Sequence, residues 1–341
     1  MQRMKTILKN LCSVSAVTGD ERYARGLVEQ IRPLCDGVRQ LPCGSIVAYK
    51  KCGSPNAKKV LLDAHLDQIG LMVTKIDDHG FVHFCNHAGV DAKVLPGAMV
   101  TILGKQAVKG VVSAKPPHLL SAEEREKPMK IADMTIDVGL SADRTKELIR
   151  VGDKIALDCY VGEMLNQCVT GRSLDDRAGC TVLLSILDLL KSESMGMDVY
   201  VVLSSGEEFS GYGAVAAALE IKPDEAIVVD VSHADMPAAR SEDCGELGKG
   251  VMIGISPILD RGLSGQLLAL ARERQIPYQR EAMGGSTGTN ADGIVPLCNG
   301  IPTAVLSIPL RYMHTAQEVI SLEDLVSVRD LLLAYLGKER G

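Results

Sequence analysis

The stretch Val60-Leu-Leu-Asp-Ala-His-Leu-Asp67 decides the architecture of this chain. Val60–Ala64 reads as a short, buried apolar strand, and it runs straight into two side chains able to hold a metal, His65 and Asp67. Three further runs end in the same way: Asp198–Leu203 leads to Gly206-Glu207-Glu208, Ala226–Val229 to Asp230, and Thr303–Ile308 to Arg311-Tyr312-Met313-His314. Helical patterns lie between and after them, at Ala178–Leu190, Ala214–Glu220, Leu263–Arg274 and Leu322–Leu336. Strands alternating with helices predict an α/β fold, a mixed sheet sandwiched by helices. Ligands of such sheets bind beyond the carboxyl ends of the strands, so these runs would deliver His, Asp, Glu and His to one edge.

Outward from those runs the texture changes. Glu21–Leu34 has helical spacing, with Thr18 and Glu21 as a capping box. From Gly70 to Glu163 short segments (Gly70–Ile76, Gly80–Cys85, Met99–Leu103, Gly110–Val112) are punctuated by Gly, Pro and Asp, which predicts small strands in a meander or barrel. Pro116–Pro117 and the charged Glu123–Lys130 stretch read as an exposed loop. The plan is one discontinuous α/β domain, residues 1–69 and 164–341, split by a β-rich insertion at residues 70–163.

Composition narrows the functions. The chain has 341 residues, 46% hydrophobic and 23% charged, ample for a large core. Tryptophan is absent and phenylalanine occurs three times, so the core is aliphatic and a site built on stacked rings is disfavoured. A net charge of −6 argues against nucleic acid as partner. The ten cysteines form no CxxC pair and mostly sit in apolar runs, as small hydrophobes in a reducing cytoplasm do. No run reaches 18 apolar residues, Thr181–Leu190 being interrupted by Asp188, so no membrane span is expected. Lys9 and Asn10 break the first apolar stretch too early for a signal peptide.

The histidines and carboxylates carry the chemistry. A mixed N/O set from four strand ends, with Asp175-Asp176 ahead of the long apolar helix as a further source, suits zinc, cobalt or manganese. Each piece has an ordinary reading too: Asp175 and Asp176 are good N-cap residues, and Glu207-Glu208 would charge a loop near a helix start. His233 is a rival to Asp230, while His79, His83, His87 and His118 read as structural or exposed. A metal lowers the pKa of a bound water and polarises a carbonyl, and a carboxylate not held as a ligand must move the proton. Adjacent Glu207 and Glu208 allow that division, and Asp67 stands two residues from His65, able to orient its ring. An Asp able to bridge would make the centre binuclear.

The segments AHLDQIGLMV (64–73), KPPHLL (115–120), GRSLDDRAG (171–179), SSGEEFSGYGA (204–214), VVDVSHADMP (228–237) and IPLRYMHTAQEV (308–319) together resemble the M42 family of metallo-aminopeptidases, also labelled glutamyl aminopeptidases or cellulase M, over essentially the whole chain. The resemblance implies two divalent ions per subunit, zinc first and cobalt or manganese as alternatives. Their ligands would be His65, Asp175, Glu208, Asp230 and His314, with Asp175 bridging and the Asp175–Asp176 peptide cis. It also implies metal-bound water as nucleophile, Glu207 as general base and Asp67 orienting His65. The insertion would be a PDZ-like dimerisation domain, and the assembly a homododecamer built from dimers that admits short peptides. In Gly284-Gly-Ser-Thr-Gly-Thr-Asn-Ala-Asp292 an Asp is expected where Asn290 stands, which would change the electrostatics of a substrate cleft if that residue lined it.

Other readings are a deacylase or amidohydrolase using the same metals, a glycosidase, and a non-catalytic assembly protein. Glycosidases mostly use two carboxylates without metal, and here the carboxylates arrive with two histidines. Every proposed ligand and the base are present, which disfavours the non-enzyme reading.

Overall fold

Continuous Val/Ile/Leu runs belong to strands covered on both faces, and here they build the centre of a large sheet. The computed structural model describes residues 1–20, 22–122, 126–127, 129–190, 195–237, 239–240, 242 and 244–337. In chain order the strands are β1 (Gly37–Gln40), β2 (Ile46–Lys50), β3 (Lys59–His65), β4 (Gly70–Ile76), β5 (Val82–His87), β6 (Met99–Leu103), β7 (Ala107–Val112), β8 (Ile136–Asp137), β9 (Lys154–Leu157), β10 (Gly162–Glu163), β11 (Cys168–Gly171), β12 (Asp198–Ser204), β13 (Glu225–His233), β14 (Val251–Ile255), β15 (Tyr278–Ala282), β16 (Thr303–Arg311) and β17 (Glu318–Ser321). The helices are α1 (Gln2–Cys12), α2 (Arg22–Ile31), α3 (Ala142–Leu148), α4 (Leu174–Leu190), α5 (Tyr212–Ile221), α6 (Arg261–Glu273), α7 (Ala291–Ile294) and α8 (Leu322–Tyr335).

Eleven strands form one mixed sheet in the order β1-β2-β12-β3-β13-β16-β17-β11-β10, with β14 and β15 branching from β16. Its centre, β12-β3-β13-β16, is parallel. Alternate residues face opposite layers: Val60, Leu62, Val201, Ile227 and Leu306 enter a core under α1, α4 and α8, while Leu61, Val202, Val228 and Val305 meet α5 and α7. Each such side chain contributes about 1.5–3 kcal/mol by leaving water. Helix α4 lies in the middle of the larger core and is buried on nearly every face, which explains its apolar composition all round.

The six strands β4-β5-β8-β7-β6-β9 close into a barrel with its own core of Leu71, Val73, Val100, Ile102, Ile136 and Ile155. Its strands lie between Gly70 and Leu157, whereas β10 pairs with β11 in the large sheet. Several sequence-based boundaries move. The helix expected over Glu21–Leu34 is helical at Arg22–Ile31 and continues as a 3-10 turn at Arg32–Leu34, where Pro33 has no N–H to extend the α pattern. Glu21, the second half of the expected capping box, lies outside the described residues, as do Glu123–Arg125 and Pro128 of the expected loop. The strands expected at Gly80–Cys85 and Gly110–Val112 run instead over Val82–His87 and Ala107–Val112. Among the described residues, no helix is long and apolar enough to cross a membrane.

Candidate metal centre

Register brings the site residues level. His65 at the end of β3 pairs with Ser204 at the end of β12, and Val228 pairs with Asp63, so Asp230 two residues on stands beside His65. Beyond β12 the chain turns at Gly206 (φ 73°), a left-handed position that suits glycine, and presents Glu207 and Glu208. Beyond β16, Tyr312 (φ 64°) and His314 (φ 61°) bend the chain back over the same edge. Asp175 arrives from the start of α4, across a cis peptide to Asp176.

Two groups of ligand atoms result, each within 4.8 Å: His65, Asp175 and Asp230, and Asp175, Glu208 and His314. Asp175 belongs to both. Its Oδ1 lies 2.9 Å from His65 Nε2, and its Oδ2 lies 3.4 Å from His314 Nε2, which is also 3.4 Å from Glu208 Oε2. Glu207 Oε2 is 3.9 Å from His65 Nε2 and belongs to neither group. His233 belongs to neither group either; it is exposed and lines the neighbouring cleft. Of the remaining histidines, His83 faces Asp77 at 3.6 Å and His87 sits at the base of the barrel.

The surroundings hold these groups in place. His65 Nδ1 lies 3.1 Å from the Asp67 carbonyl and 3.7 Å from its carboxylate, so the backbone of Asp67 is nearer the ring than its side chain. The Asp67 carboxylate accepts instead from Thr18 Oγ1 (2.7 Å) and from the Glu207 N–H (3.2 Å). Asp176 accepts from the N–H groups of His65 (3.2 Å) and Gly179 (2.9 Å). Two residues given no role from sequence are prominent here. Glu318, buried, accepts from the N–H groups of Leu174 (2.7 Å), Asp175 (3.3 Å) and His314 (3.2 Å), and so clasps two of the segments that carry ligands. Arg177, fully buried, donates to the carbonyls of Leu11 (2.7 Å), Val14 and Leu66 and to Gln68 Oε1 (2.7 Å). Both lie inside motifs already singled out, and Glu318 stands four residues after His314, the only hint the sequence offers.

Asn290 is buried, and its Nδ2 donates to Asp63 Oδ2 (2.8 Å) and Ser204 Oγ (2.9 Å), beneath the sheet edge. It is not among the residues lining the cleft, so the expected change of cleft electrostatics is replaced by a change below the site. The amide supplies N–H donors to Asp63, whose carboxyl burial pushes up to about 7. A second carboxylate could not donate in this way when ionised.

Electrostatically the centre is crowded with carboxylates. Burial and the neighbouring Asp175 push Glu208 up to about 10, and burial and mutual repulsion raise Asp176, Asp230 and Glu207. Burial opposes ionisation of Asp175 too, but hydrogen bonds from His314 and His65 override it and hold this carboxyl below its usual range. Burial likewise disfavours the charged form of His65, and the carboxylates around it reverse that and raise its pKa. So many buried acids cannot all ionise without added positive charge, which divalent cations would supply. The donor set, imidazole nitrogen and carboxylate oxygen, fits such ions. The centre opens on a cleft of about 450 Å³, whose far side is lined by Val231, Ser232, His233, Met283, Thr287–Thr289 and Met313.

A parallel-centred sheet sandwiched by helices, with paired histidine and carboxylate clusters at its carboxyl edge, defines a class of α/β proteins that place a ligand site at that edge. Within it, the profile of the M42 glutamyl aminopeptidase family matches residues 44–331. The lysyl aminopeptidase of Pyrococcus furiosus is 30% identical over 337 residues, covering 97% of this chain and 96% of that protein. The crystal structure of a TET aminopeptidase from a marine-sediment Thaumarchaeota archaeon superposes with a TM-score of 0.92 at 28% identity, covering 98% of this chain and 96% of that one. The TET1 peptidase of Pyrococcus horikoshii, described as assembling into a tetrahedron or a large octahedral shell, gives a TM-score of 0.85 at 27% identity, covering 98% and 99%. The chain belongs to the M42 glutamyl aminopeptidase family and is an enzyme of the aminopeptidase class.

Proposed function

We propose that this enzyme removes N-terminal residues from short peptides with two divalent cations. His65, Asp175 and Asp230 would hold one, Asp175, Glu208 and His314 the other, and Asp175 would be shared. The observation that carries the reading is Asp175 standing in both ligand groups while Glu207, in neither, faces the same cleft. When bound, the cations supply Lewis acidity toward the scissile carbonyl and make water a better nucleophile at neutral pH. Glu207 acts as general base and then acid: burial raises its carboxyl toward the range in which a group both takes and returns a proton. Its backbone N–H is fixed by the Asp67 carboxylate, which in turn is held by Thr18, so the role of Asp67 is to set the Glu207 loop as well as His65.

Zinc is the first choice of ion, with cobalt and manganese as alternatives, on the N/O character of the ligands. The division into residues 1–69 and 164–341 around an insertion at 70–163, and the insertion's role as a PDZ-like dimerisation domain, form part of the same proposal, as do a homododecamer built from dimers and a cytoplasmic location. Its supports are the separate barrel core, the shell-forming TET1 relative and ten cysteines that form no CxxC pair.

The test is turnover of aminoacyl-p-nitroanilides by protein loaded with zinc, cobalt or manganese, beside a panel of N-acyl amino acids. Hydrolysis of the anilides that chelator abolishes is the expected result. Turnover of the N-acyl compounds alone would replace this reading with a deacylase. Sedimentation of the same preparation tests the assembly.

A further inference from the structure

We infer that Gly89, on the barrel, is a positioning residue for His314; this rests on the proposed metal-ligand role of His314. After β5 the chain turns through Ala88 (φ 69°) and Gly89 (φ 77°), and this turn lies against His314. A Cβ built on Gly89 would stand 2.8 Å from His314 Nδ1, 3.0 Å from its Cε1 and 3.6 Å from Ile69 Cγ2. The first distance is inside van der Waals contact, so a methyl there must displace the imidazole. The opposite ring nitrogen, Nε2, is the one that faces Asp175 and Glu208 at 3.4 Å. Displacing the ring at Nδ1 shifts Nε2 from its place 3.4 Å from both carboxylates.

A left-handed φ strains any residue with a Cβ, and Ala88 next door bears such a strain at a similar φ. What separates the two positions is the imidazole. Ligating histidines are commonly oriented by a hydrogen bond from the second ring nitrogen. Among the described residues His314 Nδ1 has no such acceptor, and the bare backbone of Gly89 serves as the wall that sets the ring. The same end of the barrel touches the site from the other side. His87 stacks on Phe209, with centroids 6.3 Å apart, immediately after Glu208, and its Nε2 lies 2.9 Å from the Thr18 carbonyl.

The barrel provides its own control. Gly97 also has a left-handed φ (80°), but a Cβ built on it meets nothing within 4 Å. Gly89→Ala and Gly97→Ala therefore both place a Cβ at a left-handed φ and differ in the contact with His314. Titration with cobalt(II), followed by visible absorption and equilibrium dialysis, reads the difference. Gly89→Ala is expected to bind one of two cobalt ions about 10- to 100-fold more weakly, with an altered spectrum, and Gly97→Ala to match wild type. Wild-type affinity and spectrum in Gly89→Ala, or equal weakening in both variants, overturns the inference. Wild-type protein that binds no cobalt overturns the metal-centre reading, and the role of Gly89 with it. A second readout needs no metal. In chelator-treated protein the drop in Tm caused by Gly89→Ala should shrink to that of Gly97→Ala once His314→Ala removes the ring. An undiminished drop overturns the inference. If Gly89→Ala alone does not fold, recovery of folded protein by adding His314→Ala supports it, and no recovery overturns it.

Discussion

Two adjacent carboxylates, Glu207 and Glu208, divide at the residue scale because only one has its oxygen in a ligand group. Glu207→Gln should therefore keep its cobalt stoichiometry while kcat falls by about 10²–10⁴, the range for loss of a general base. A kcat near wild type would remove Glu207 from the reaction. Asp175 and Asp176 divide too: both are N-cap candidates by sequence, and in the structure Asp176 accepts from Gly179 while Asp175 turns to the histidines. Glu318 shows what residue types alone do not disclose. Its carboxylate is legible as an acid near His314, but its three backbone donors belong to segments about 140 positions apart. Glu318→Gln places an N–H₂ where only acceptors are wanted, and cation affinity should fall by about 10- to 100-fold in a cobalt titration. Unchanged affinity would reduce Glu318 to a packing residue.

The elements that sequence located best are those whose apolar pattern is long and buried on both sides. β3, β12, β13, β16 and α4 all contain their expected runs, extended by a few residues at one or both ends. Missed were, among others, α1 and the strands β1, β2, β14, β15 and β17, strands of four or five residues, several of them hydrogen-bonded to partners distant in sequence. The N-terminus of α8 shows how such partners alter a local rule. Ser321 caps the helix, accepting from the Glu323 N–H at 3.2 Å. Asp324 in the first turn faces the N–H groups of Gly250 (2.7 Å) and Gly248 (2.8 Å), and burial pushes it up to about 6. A carboxyl with a folded-state pKa above its unfolded value favours the fold fully below about pH 4, and that advantage is lost as pH rises through about 6. The loss amounts to roughly 3 kcal/mol by pH 7–8. Urea unfolding of Asp324→Asn and wild type should show their stability gap moving toward the variant by up to that amount between pH 4 and 7.5. A gap independent of pH would mean that Asp324 ionises normally.

At the scale of the molecule, two kinds of core meet at the site. The barrel is packed around Ile102 and its neighbours, and the large sheet around α4. Ile102→Ala should cost about 2–5 kcal/mol, the range for truncating a buried isoleucine. If the barrel wall sets the His314 ring, the cobalt spectrum of that variant should be lost at lower urea than the far-UV circular dichroism of the sheet. Coincident transitions would show that the barrel and the centre unfold only with the whole. The α/β alternation, the seven candidate residues Asp67, His65, Asp175, Glu207, Glu208, Asp230 and His314, and the absence of a basic surplus were all legible in the chain alone. They follow from local periodicity and residue chemistry, which sequence order preserves. The clasp of Glu318, the burial of Asn290 beneath the edge and the seat of Gly89 on His314 were decided only by tertiary structure. Each depends on strand register and on the barrel's placement against the sheet, and these bring together groups that nothing in the order of residues makes neighbours.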